Sequence, residues 1–420
     1  MGEQLKSVKG MRDLLPPETA VWAAVEATAR RVLGSYGYGE IRTPIVEPTE
    51  LFVRSVGEAT DIVGKEMYSF EDRKGRRLTL RPESTAPVAR AFVQHGLGDR
   101  GLPVKLYYCG SQFRYERPQR GRYRQFSQIG AELIGDPGPT SDVEVILMLV
   151  RFLEALDFSE PTVLLNTVGD EVSRAAYRAA LVDFLQPHRG SLGEDSRRRL
   201  ESNPLRILDT KAPAERELLR GAPRLEGYLT PESKEHFEAV RAGLEAAGVN
   251  FAVEPRLVRG LDYYSRTVFE IVVEGLGAQD AVVGGGRYDG LIADLGGSEV
   301  PGIGFAIGED RLLEALPESF RAAHQPPPAV HLAAAGTVDP GALLGLAETL
   351  RGEGLAVVSE LGGRSVKAAL KRADKSGARW VVLVGDDELA AGEVTLRDLQ
   401  AGEQERLPKD AAIAAIKERT

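Results

Sequence analysis

Cysteine is almost absent from this sequence, and long apolar runs are absent altogether. The single cysteine, Cys109, excludes an intrachain disulfide and indicates a reducing, cytoplasmic environment. The five histidines are scattered, and none has a metal-ligand spacing with Cys109 or with another histidine, so no metal-binding residues are expected. No apolar run approaches the length of a membrane span, and the first 17 residues lack the apolar stretch of a secretion signal. We therefore expect no membrane association.

Positive charge is also in deficit. The chain carries 53 lysine and arginine residues against 62 aspartate and glutamate residues, a formal net charge of −9. Proteins that wrap nucleic acid nonspecifically are usually basic overall, so a polyanion would have to bind this chain through local basic patches. A length of 420 residues exceeds one compact core and indicates two or three domains.

Residues 1–325 show strands in succession with helices at the margins. Helices are predicted at 18–36, 83–92 and 142–156, and strands at 67–70, 78–80, 105–113, 125–134, 251–257, 268–273, 281–283 and 302–307. A stretch of about residues 170–248, rich in Arg, Glu, Leu and Ala, is interpreted as a helical insertion. This order predicts an α+β fold built on an antiparallel sheet.

A proline-rich linker at 325–328 precedes a region with a different period. Strands at 330–335, 356–360 and 380–384 alternate with helices at 340–353 and 365–375, which predicts a separate α/β domain over 328–420 with a mostly parallel sheet. Lys367, Lys371, Lys375 and Arg364 share one face of the second helix. This basic stripe is a candidate polyanion patch, and a plain solvated face is the alternative.

Arginines crowd the predicted loop at residues 114–124. Five arginines and two tyrosines lie between two strands, and Pro118 and Gly121 let the loop turn. Guanidinium groups bind phosphates with bidentate geometry, and aromatic rings stack on bases. Because five like charges repel one another without an anionic partner, we favour an anion-binding loop over a solvated hairpin.

Two segments further along the chain also combine charge, glycine and aromatic residues. Arg259, followed by Tyr263 and Tyr264, lies between hydrophobic runs, and a salt-bridged structural arginine explains it as well as a functional one. Three glycines at 284–286 are expected after a strand, where they allow close backbone approach to a ligand or form a flexible turn.

Two strand-to-helix junctions place polar residues at a helix start. Glu83 and Thr85 follow one strand, where the carboxylate could bind an ammonium group, although capping the helix is favoured. At the second junction, Glu309 and Asp310 suit the positive end of the helix, and Arg311 could face a nucleotide phosphate.

Together these segments resemble histidyl-tRNA synthetases over nearly the whole chain. Residues 41–44 resemble class II motif 1, residues 113–128 motif 2 and residues 302–311 motif 3. Residues 257–270 and 284–291 resemble two peptides peculiar to the histidine-specific enzymes and their relatives. The resemblance implies a class II catalytic domain with a C-terminal anticodon-binding domain. It also implies a homodimer, with motif 1 at the dimer interface.

The resemblance further implies a reaction and a set of residue roles. L-histidine would be activated by ATP with Mg²⁺ on the β- and γ-phosphates, and then transferred to tRNA(His). Arg114 and Arg259 would face the reacting phosphate from opposite sides. Histidine would be bound by Glu83, Thr85, Gln128, Glu132, Tyr263, Tyr264 and Tyr288, ATP by Arg114, Glu116 and Arg311, and tRNA by Arg117, Gln119, Arg120, Arg122, Lys367 and Lys371. Ser127 departs from the histidine that many members carry there, and because the neighbouring pattern is intact it is interpreted as tolerated variation.

A regulatory subunit of ATP phosphoribosyltransferase is the competing interpretation. That family resembles the catalytic domain without acting as a synthetase. It lacks the anticodon domain and tends to lose the arginine-bearing peptide. This chain has both the C-terminal domain and Arg259, which favours the ligase.

Overall fold

The computed structural model describes residues 5–57, 60–273, 281–325, 330–360 and 365–419. They divide into two compact units, Met1–His324 and Gln325–Thr420, each with its own hydrophobic core. The predicted linker residues 326–328 and the predicted basic residue Arg364 lie outside the described residues.

The first unit is built on an antiparallel sheet. Its described strands are β1 (Gly39–Glu40), β2 (Val46–Pro48), β3 (Tyr68–Glu71), β4 (Arg77–Leu80), β5 (Val104–Phe113), β6 (Gln125–Ile134), β7 (Thr162–Thr167), β8 (Phe251–Val253), β9 (Ser265–Val272), β10 (Ala281–Arg287) and β11 (Gly302–Gly308). Eight strands form one sheet in the order β1-β5-β6-β11-β10-β9-β7-β8, parallel only at its two edge pairs. A smaller antiparallel sheet has the order β2-β4-β3. The predicted α+β fold is confirmed.

Helices pack on both faces of the large sheet. The described ones are α1 (Glu18–Ser35), α2 (Thr49–Val56), α3 (Thr85–Gln94), α4 (Pro139–Glu154), α5 (Glu171–Leu185), α6 (Glu194–Ser202), α7 (Pro213–Leu218), α8 (Pro231–Ala246), α9 (Leu291–Asp294), α10 (Glu309–Ala315) and α11 (Glu318–Ala323). Helices α1, α4 and α8 pack on one face of the sheet, in a core that includes Phe269. Helices α3 and α9 pack on the other face, in a core that includes Val268. Successive strand residues point to opposite faces, so the two cores alternate along β9.

Helices α5 to α8, with short 3₁₀ turns between them, lie within the predicted insertion of about 170–248. Tyr177, Leu181 and Leu185 recur at helical spacing on α5 and are buried in a small core of this segment's own. The side chain of Asp170 caps α5 by accepting a hydrogen bond from Ser173 N at 2.8 Å.

The glycine run at 284–286 corrects a sequence expectation. These residues lie inside β10, hydrogen-bonded to β9 and β11, and not in a turn that follows a strand. Glycine is a poor strand former, which is why the pattern suggested a turn. Glycine occurs in this central strand because large side chains of the candidate site pack directly against it.

The second unit carries strands β12 (Val330–Ala334), β13 (Val357–Glu360), β14 (Trp380–Val384), β15 (Glu393–Asp398) and β16 (Gln404–Pro408), and helices α12 (Pro340–Gly352), α13 (Val366–Lys375), α14 (Asp386–Ala391) and α15 (Lys409–Arg419). The sheet order is β13-β12-β14-β15-β16. The three predicted strands, β13, β12 and β14, are parallel as expected, whereas β15, which the sequence did not predict, pairs antiparallel with β14 and with β16. The complete sheet is therefore mixed.

Helix α13 is amphipathic in the way the sequence predicts. Ala369 and Ala373 are buried, whereas Lys367, Lys371 and Lys375 are exposed. Within the described ranges, no helix has both the length and the apolar character needed to cross a membrane.

Candidate active site

Glycines in the central strands make room for large polar side chains on the face that carries α3. A Cβ atom at Gly284 would lie 1.8 Å from Nη2 of Arg259, and one at Gly304 would lie 1.7 Å from Oε2 of Glu132. A side chain at either position would displace Arg259 or Glu132, so the present placement of these two residues needs glycine in β10 and β11. The sequence suggested that a ligand approaches these glycines, but the space next to them is filled by the chain's own side chains.

Glu132 is the centre of a buried polar cluster. It lies on β6, is fully buried, and accepts hydrogen bonds from Thr85 Oγ1 at 2.7 Å, Tyr288 OH at 2.6 Å and Tyr108 OH at 3.5 Å. Burial raises the pKa of Glu132 to about 8, although the three hydrogen bonds oppose the shift. A carboxyl group in such a site can exchange hydrogen-bond partners with a polar ligand.

Glu83 is held at the junction between β4 and α3. Its carboxylate accepts hydrogen bonds from the backbone N–H groups of Thr85 at 2.7 Å and Ala86 at 3.0 Å, the first two residues of α3. Burial raises the pKa of Glu83 despite these bonds. The carboxylate therefore caps the helix, and its role in binding an ammonium group stays a prediction.

Three tyrosines form a wall beside Glu132. The ring centroids of Tyr263 and Tyr264 lie 4.7 Å apart, those of Tyr263 and Tyr288 lie 5.9 Å apart, and all three residues are buried. Gln128, on β6, is also buried, and within the described part of the chain its Oε1 has no hydrogen-bond partner. Because a buried acceptor without a donor is costly, Gln128 is suited to receive one from a ligand.

A cavity of about 310 Å³ adjoins Gln128. Arg114, Arg259 and Arg311, which come from three distant segments, all border it. Its other polar and aromatic lining residues include Glu116, Arg122, Tyr123, Phe126, Glu270 and Asp310. The structure thus brings together the three arginines that the sequence nominated for phosphate binding.

Two of these arginines are held by identifiable contacts. Arg114 donates its Nε–H to the carbonyl of Pro82 at 2.8 Å, and its guanidinium lies 5.3 Å from the centre of the Phe126 ring. Arg259 donates to Glu270 in an ion pair in which both side chains are about one-quarter exposed. Arg259 is therefore both salt-bridged and directed at the cavity, which combines the two alternatives drawn from the sequence.

Contacts within the chain correct the expectation that the positive charges of the arginine-rich loop repel one another without an anionic ligand. Arg120 lies 3.4 Å from Glu314 on α10, and Arg122 lies 3.8 Å from Glu116 within the loop. The guanidinium of Arg124 stacks 3.9 Å above the ring of Tyr115. Arg117 and Gln119 lie on the same loop, with Gln119 paired to Arg122 through backbone hydrogen bonds.

A buried ionic network under the sheet was missed by the sequence analysis. Arg287, fully buried, donates to Asp142 and to the carbonyl of Gly138 at 3.0 Å, while Asp142 also contacts His236 at 2.8 Å and Thr267. Burial alone would raise the pKa of Asp142, but His236 and Arg287 hold it below its usual range. The network ties α4 and α8 to the sheet. Asp142 lies in the first turn of α4, where an acidic residue suits the helix N-terminus whether or not it has a buried partner, so the sequence did not single it out.

Among the residues that the structure describes, no group of three His, Cys, Asp or Glu side chains could hold a metal ion. Glu116 and Glu270 border the cavity as two separate carboxylates.

Comparison with known proteins gives consistent matches for both units. A family model described as histidyl-tRNA synthetase matches residues 10–312, and one described as an anticodon binding domain matches residues 340–419. The crystal structure of apo S. aureus histidyl-tRNA synthetase is 34% identical over 98% of this chain and 99% of that chain, with a TM-score of 0.79.

Two further solved structures are similar at lower identity. A histidyl-tRNA synthetase from Nostoc sp. is 24% identical over the full length of both chains, with a TM-score of 0.72, and at that identity it supports the fold alone. A Bacillus halodurans protein described as an ATP phosphoribosyltransferase regulatory subunit/histidyl-tRNA synthetase is 26% identical over 92% of this chain and 99% of that chain, with a TM-score of 0.67.

Proposed function

Because the chain belongs to the histidyl-tRNA synthetase family, we propose that it is an active ligase that attaches L-histidine to tRNA(His) through a histidyl-adenylate, releasing AMP and pyrophosphate. One observation carries this proposal: Arg114, Arg259 and Arg311 border a single cavity, and Arg259 also interacts with Tyr264 of the tyrosine wall beside Glu132. A site for a triphosphate would thus lie next to a site for a small polar molecule.

In the first step, the histidine carboxylate attacks the α-phosphorus of ATP in line and pyrophosphate leaves. Chemistry of this kind depends on positioning and charge neutralisation more than on a covalent nucleophile. Arg114, anchored to Pro82 O, and Arg259, anchored to Glu270, would hold the α-phosphate from two sides. Arg311 would bind the γ-phosphate. The tRNA 3′-terminal ribose then attacks the acyl carbon and expels AMP.

Histidine selection would rest on the buried cluster. Glu132 would accept a hydrogen bond from the imidazole, and Tyr263, Tyr264 and Tyr288 would enclose the ring. Glu83 and Thr85 would bind the α-amino group, with Oε1 of Gln128, which has no partner within the described part of the chain, accepting a further N–H. A pocket built around polar partners strongly rejects amino acids that leave those partners unpaired.

Magnesium would enter with ATP. Mg²⁺ in nucleotide sites is held mainly by phosphate oxygens and water with one or two carboxylates. Glu116 and Glu270 at the cavity fit this need, whereas Asp310, the third carboxylate there, already accepts hydrogen bonds from Arg12 and Ser127 N. The ion would supply positive charge that offsets the negative charge on the departing pyrophosphate.

Two basic surfaces would bind tRNA(His), one on the second unit and one on the arginine-rich loop of the first unit. Lys367 and Lys371 on the exposed face of α13 would contact the anticodon region, and loop residues Arg117, Gln119, Arg120 and Arg122 would contact the acceptor end. We further propose a cytoplasmic homodimer. The exposed apolar side chains of Val46 on β2 and Phe70 on β3 support a dimer interface at the small sheet, next to the motif 1 segment.

A regulatory subunit without ligase activity is the second candidate, favoured by the Bacillus halodurans match. The anticodon-binding match over residues 340–419 and the presence of Arg259 in its ion pair favour the ligase. Incubation with histidine, ATP, Mg²⁺ and a tRNA(His) transcript, resolved on acid gels, tests the proposal. We expect ATP-dependent charging of the transcript. No charging, when a known histidyl-tRNA synthetase charges the same transcript, would contradict it.

A further inference from the structure

An N-terminal segment, residues 8–13, lies against the arginine-rich loop at residues 114–124 and is here called the N-terminal strap. The carbonyl of Gly10 accepts a hydrogen bond from Arg124 N at 2.7 Å. Gly10 has a φ of +87°, and a Cβ atom there would lie 2.8 Å from Cγ of Arg124 and 2.9 Å from Cγ of Pro118. The strap therefore follows the loop so closely that only glycine fits between them.

Arg12 connects the strap to two other elements. Its Nη2 donates to Asp310 at 3.1 Å, its Nη1 donates to Glu18 at 2.9 Å, and its guanidinium lies 4.8 Å from the centre of the Tyr123 ring. Asp310 is buried in the first turn of α10 and also accepts a hydrogen bond from Ser127 N at 3.1 Å. One side chain thus joins the loop, through Tyr123, to the start of α10.

These contacts border the cavity from two directions. Asp310 and Tyr123 both line it, together with Arg311 from α10 and Arg114 from the base of the loop. If the loop moved away from α10, the two arginines could no longer meet one triphosphate. We propose that Arg12 is a positioning residue that holds the loop and the start of α10 in the arrangement that ATP binding requires. The inference rests on the proposed function, because it assumes that ATP is the ligand of this cavity.

The chemistry of arginine suits this task. The planar guanidinium donates to carboxylates on one edge and stacks on an aromatic face at the same time, which an ammonium group cannot do. The loop contains only an isolated bridge between Gln119 and Arg122 as regular structure, so external contacts must restrain it.

The first test compares Arg12→Gln, Arg12→Lys and a control, Arg151→Gln, in histidine-dependent ATP–pyrophosphate exchange. Arg151 also forms an ion pair, with Glu154 at 2.7 Å, but on the exposed surface of α4. We expect Arg12→Gln to raise the KM for ATP about tenfold or more, the scale of losing a charge-assisted hydrogen bond, with the KM for histidine nearly constant. Arg12→Lys should recover part of the loss, and the control should match the unmodified chain. An unchanged KM for ATP, or equal rises in both KM values, would overturn the proposal.

A second readout needs no activity. Trypsin can cut the loop after Arg120 and Arg122, whereas the bond between Arg117 and Pro118 resists it. Loss of the strap contacts should raise the initial rate of cutting at these two bonds severalfold in Arg12→Gln, and not in Arg151→Gln. Equal rates of cutting at these two bonds in Arg12→Gln, Arg151→Gln and the unmodified chain would overturn the positioning role. If the unmodified chain shows no exchange with histidine, the proposed function fails, and proteolysis still decides whether Arg12 restrains the loop.

Discussion

At the scale of single residues, the chain places carboxyl groups where burial works against their ionisation. Glu132 has three hydroxyl donors around it, whereas within the described structure both side-chain oxygens of Glu309 lack a hydrogen-bond partner. The carboxyl group of Glu132 can exchange its hydroxyl partners for a polar ligand. Among the described residues, nothing donates a hydrogen bond that would offset the cost of burying the carboxyl group of Glu309. The two residues therefore make different predictions.

Replacing Glu132 should alter histidine recognition selectively. Glu132→Gln keeps the shape of the side chain but replaces one acceptor oxygen with an amide NH2 group, so we expect the KM for histidine to rise about tenfold to a hundredfold, the scale of leaving a buried hydrogen-bonding group unpaired. The KM for ATP should stay nearly constant. Steady-state exchange kinetics with each substrate varied in turn measure both values. Equal rises in both would assign Glu132 a structural role instead.

Glu309 should make stability depend on pH. The sequence suggested that this acid benefits from the start of α10, but it is fully buried, and burial raises its pKa to about 9. Below the usual pKa of about 4.5 both the folded and unfolded states are protonated. As pH rises from there towards 9, the unfolded chain gains charge that the folded chain cannot accept, so the folded state loses stability.

Glu309→Met should remove this loss. The gain in the free energy of unfolding should stay under about 1 kcal/mol at pH 5 and reach about 3 kcal/mol at pH 7, from 1.36 kcal/mol for each unit of pKa shift titrated. Urea denaturation at both pH values measures it, with the exposed Glu235→Met on α8 as the control. A gain of equal size at both pH values would rule out ionisation as the cause.

At the scale of strands and helices, the site depends on glycine inside β10 and β11. Gly284→Ala would put a methyl group where Nη2 of Arg259 lies, 1.8 Å away, so the arginine and its partner Glu270 would have to move. We expect kcat for pyrophosphate exchange to fall by about a hundredfold or more, the scale of losing one well-placed donor to the transition state. Gly34→Ala is the matched control, because no atom lies within 4 Å of its added Cβ and alanine favours its helix. Equal activities of the two variants would contradict a catalytic position for Arg259.

Elements with a regular period could be predicted from the sequence, whereas those set by distant partners could not. Helix α1 and strands β5 and β6 follow their apolar pattern closely. Gly284 was expected after a strand and not inside one, because the side chain that needs its space, Arg259, is 25 residues away in sequence. The same holds for Arg287 and Asp142, whose ion pair forms only when α4 packs on the sheet. Strands β15 and β16 were missed, and the latter is largely exposed, without a clear apolar alternation.

In the candidate site, too, residue types could be predicted from the sequence, whereas contacts between distant segments could not. Residue types and the family resemblance together nominated the arginines that border the cavity. The contacts of Arg12 and Asp310 could not be nominated, because the strap and α10 are 298 residues apart in the chain. Glu314, which pairs with Arg120, became visible only when α10 and the loop were placed together, whereas Glu116, which pairs with Arg122, lies within the loop itself.

At the scale of the whole molecule, the two compact units suggest a division of work. The first unit contains every residue proposed for activation, and the second carries the exposed lysines of α13. A chain ending at His324 should keep histidine-dependent pyrophosphate exchange and lose most charging of tRNA(His). Circular dichroism must first show that the truncated chain is folded. If the folded truncation charges tRNA as well as the full chain, the second unit has another role.

The central claim is that this chain activates histidine, and ATP–pyrophosphate exchange tested with each of the twenty amino acids measures it most directly. The full chain, with ATP, Mg²⁺ and labelled pyrophosphate, would be tested with one amino acid at a time and without tRNA. The polar pocket around Glu132 and the arginines of the neighbouring cavity predict rapid exchange with histidine alone. An absence of exchange with every amino acid, or exchange with a different one, would contradict the account.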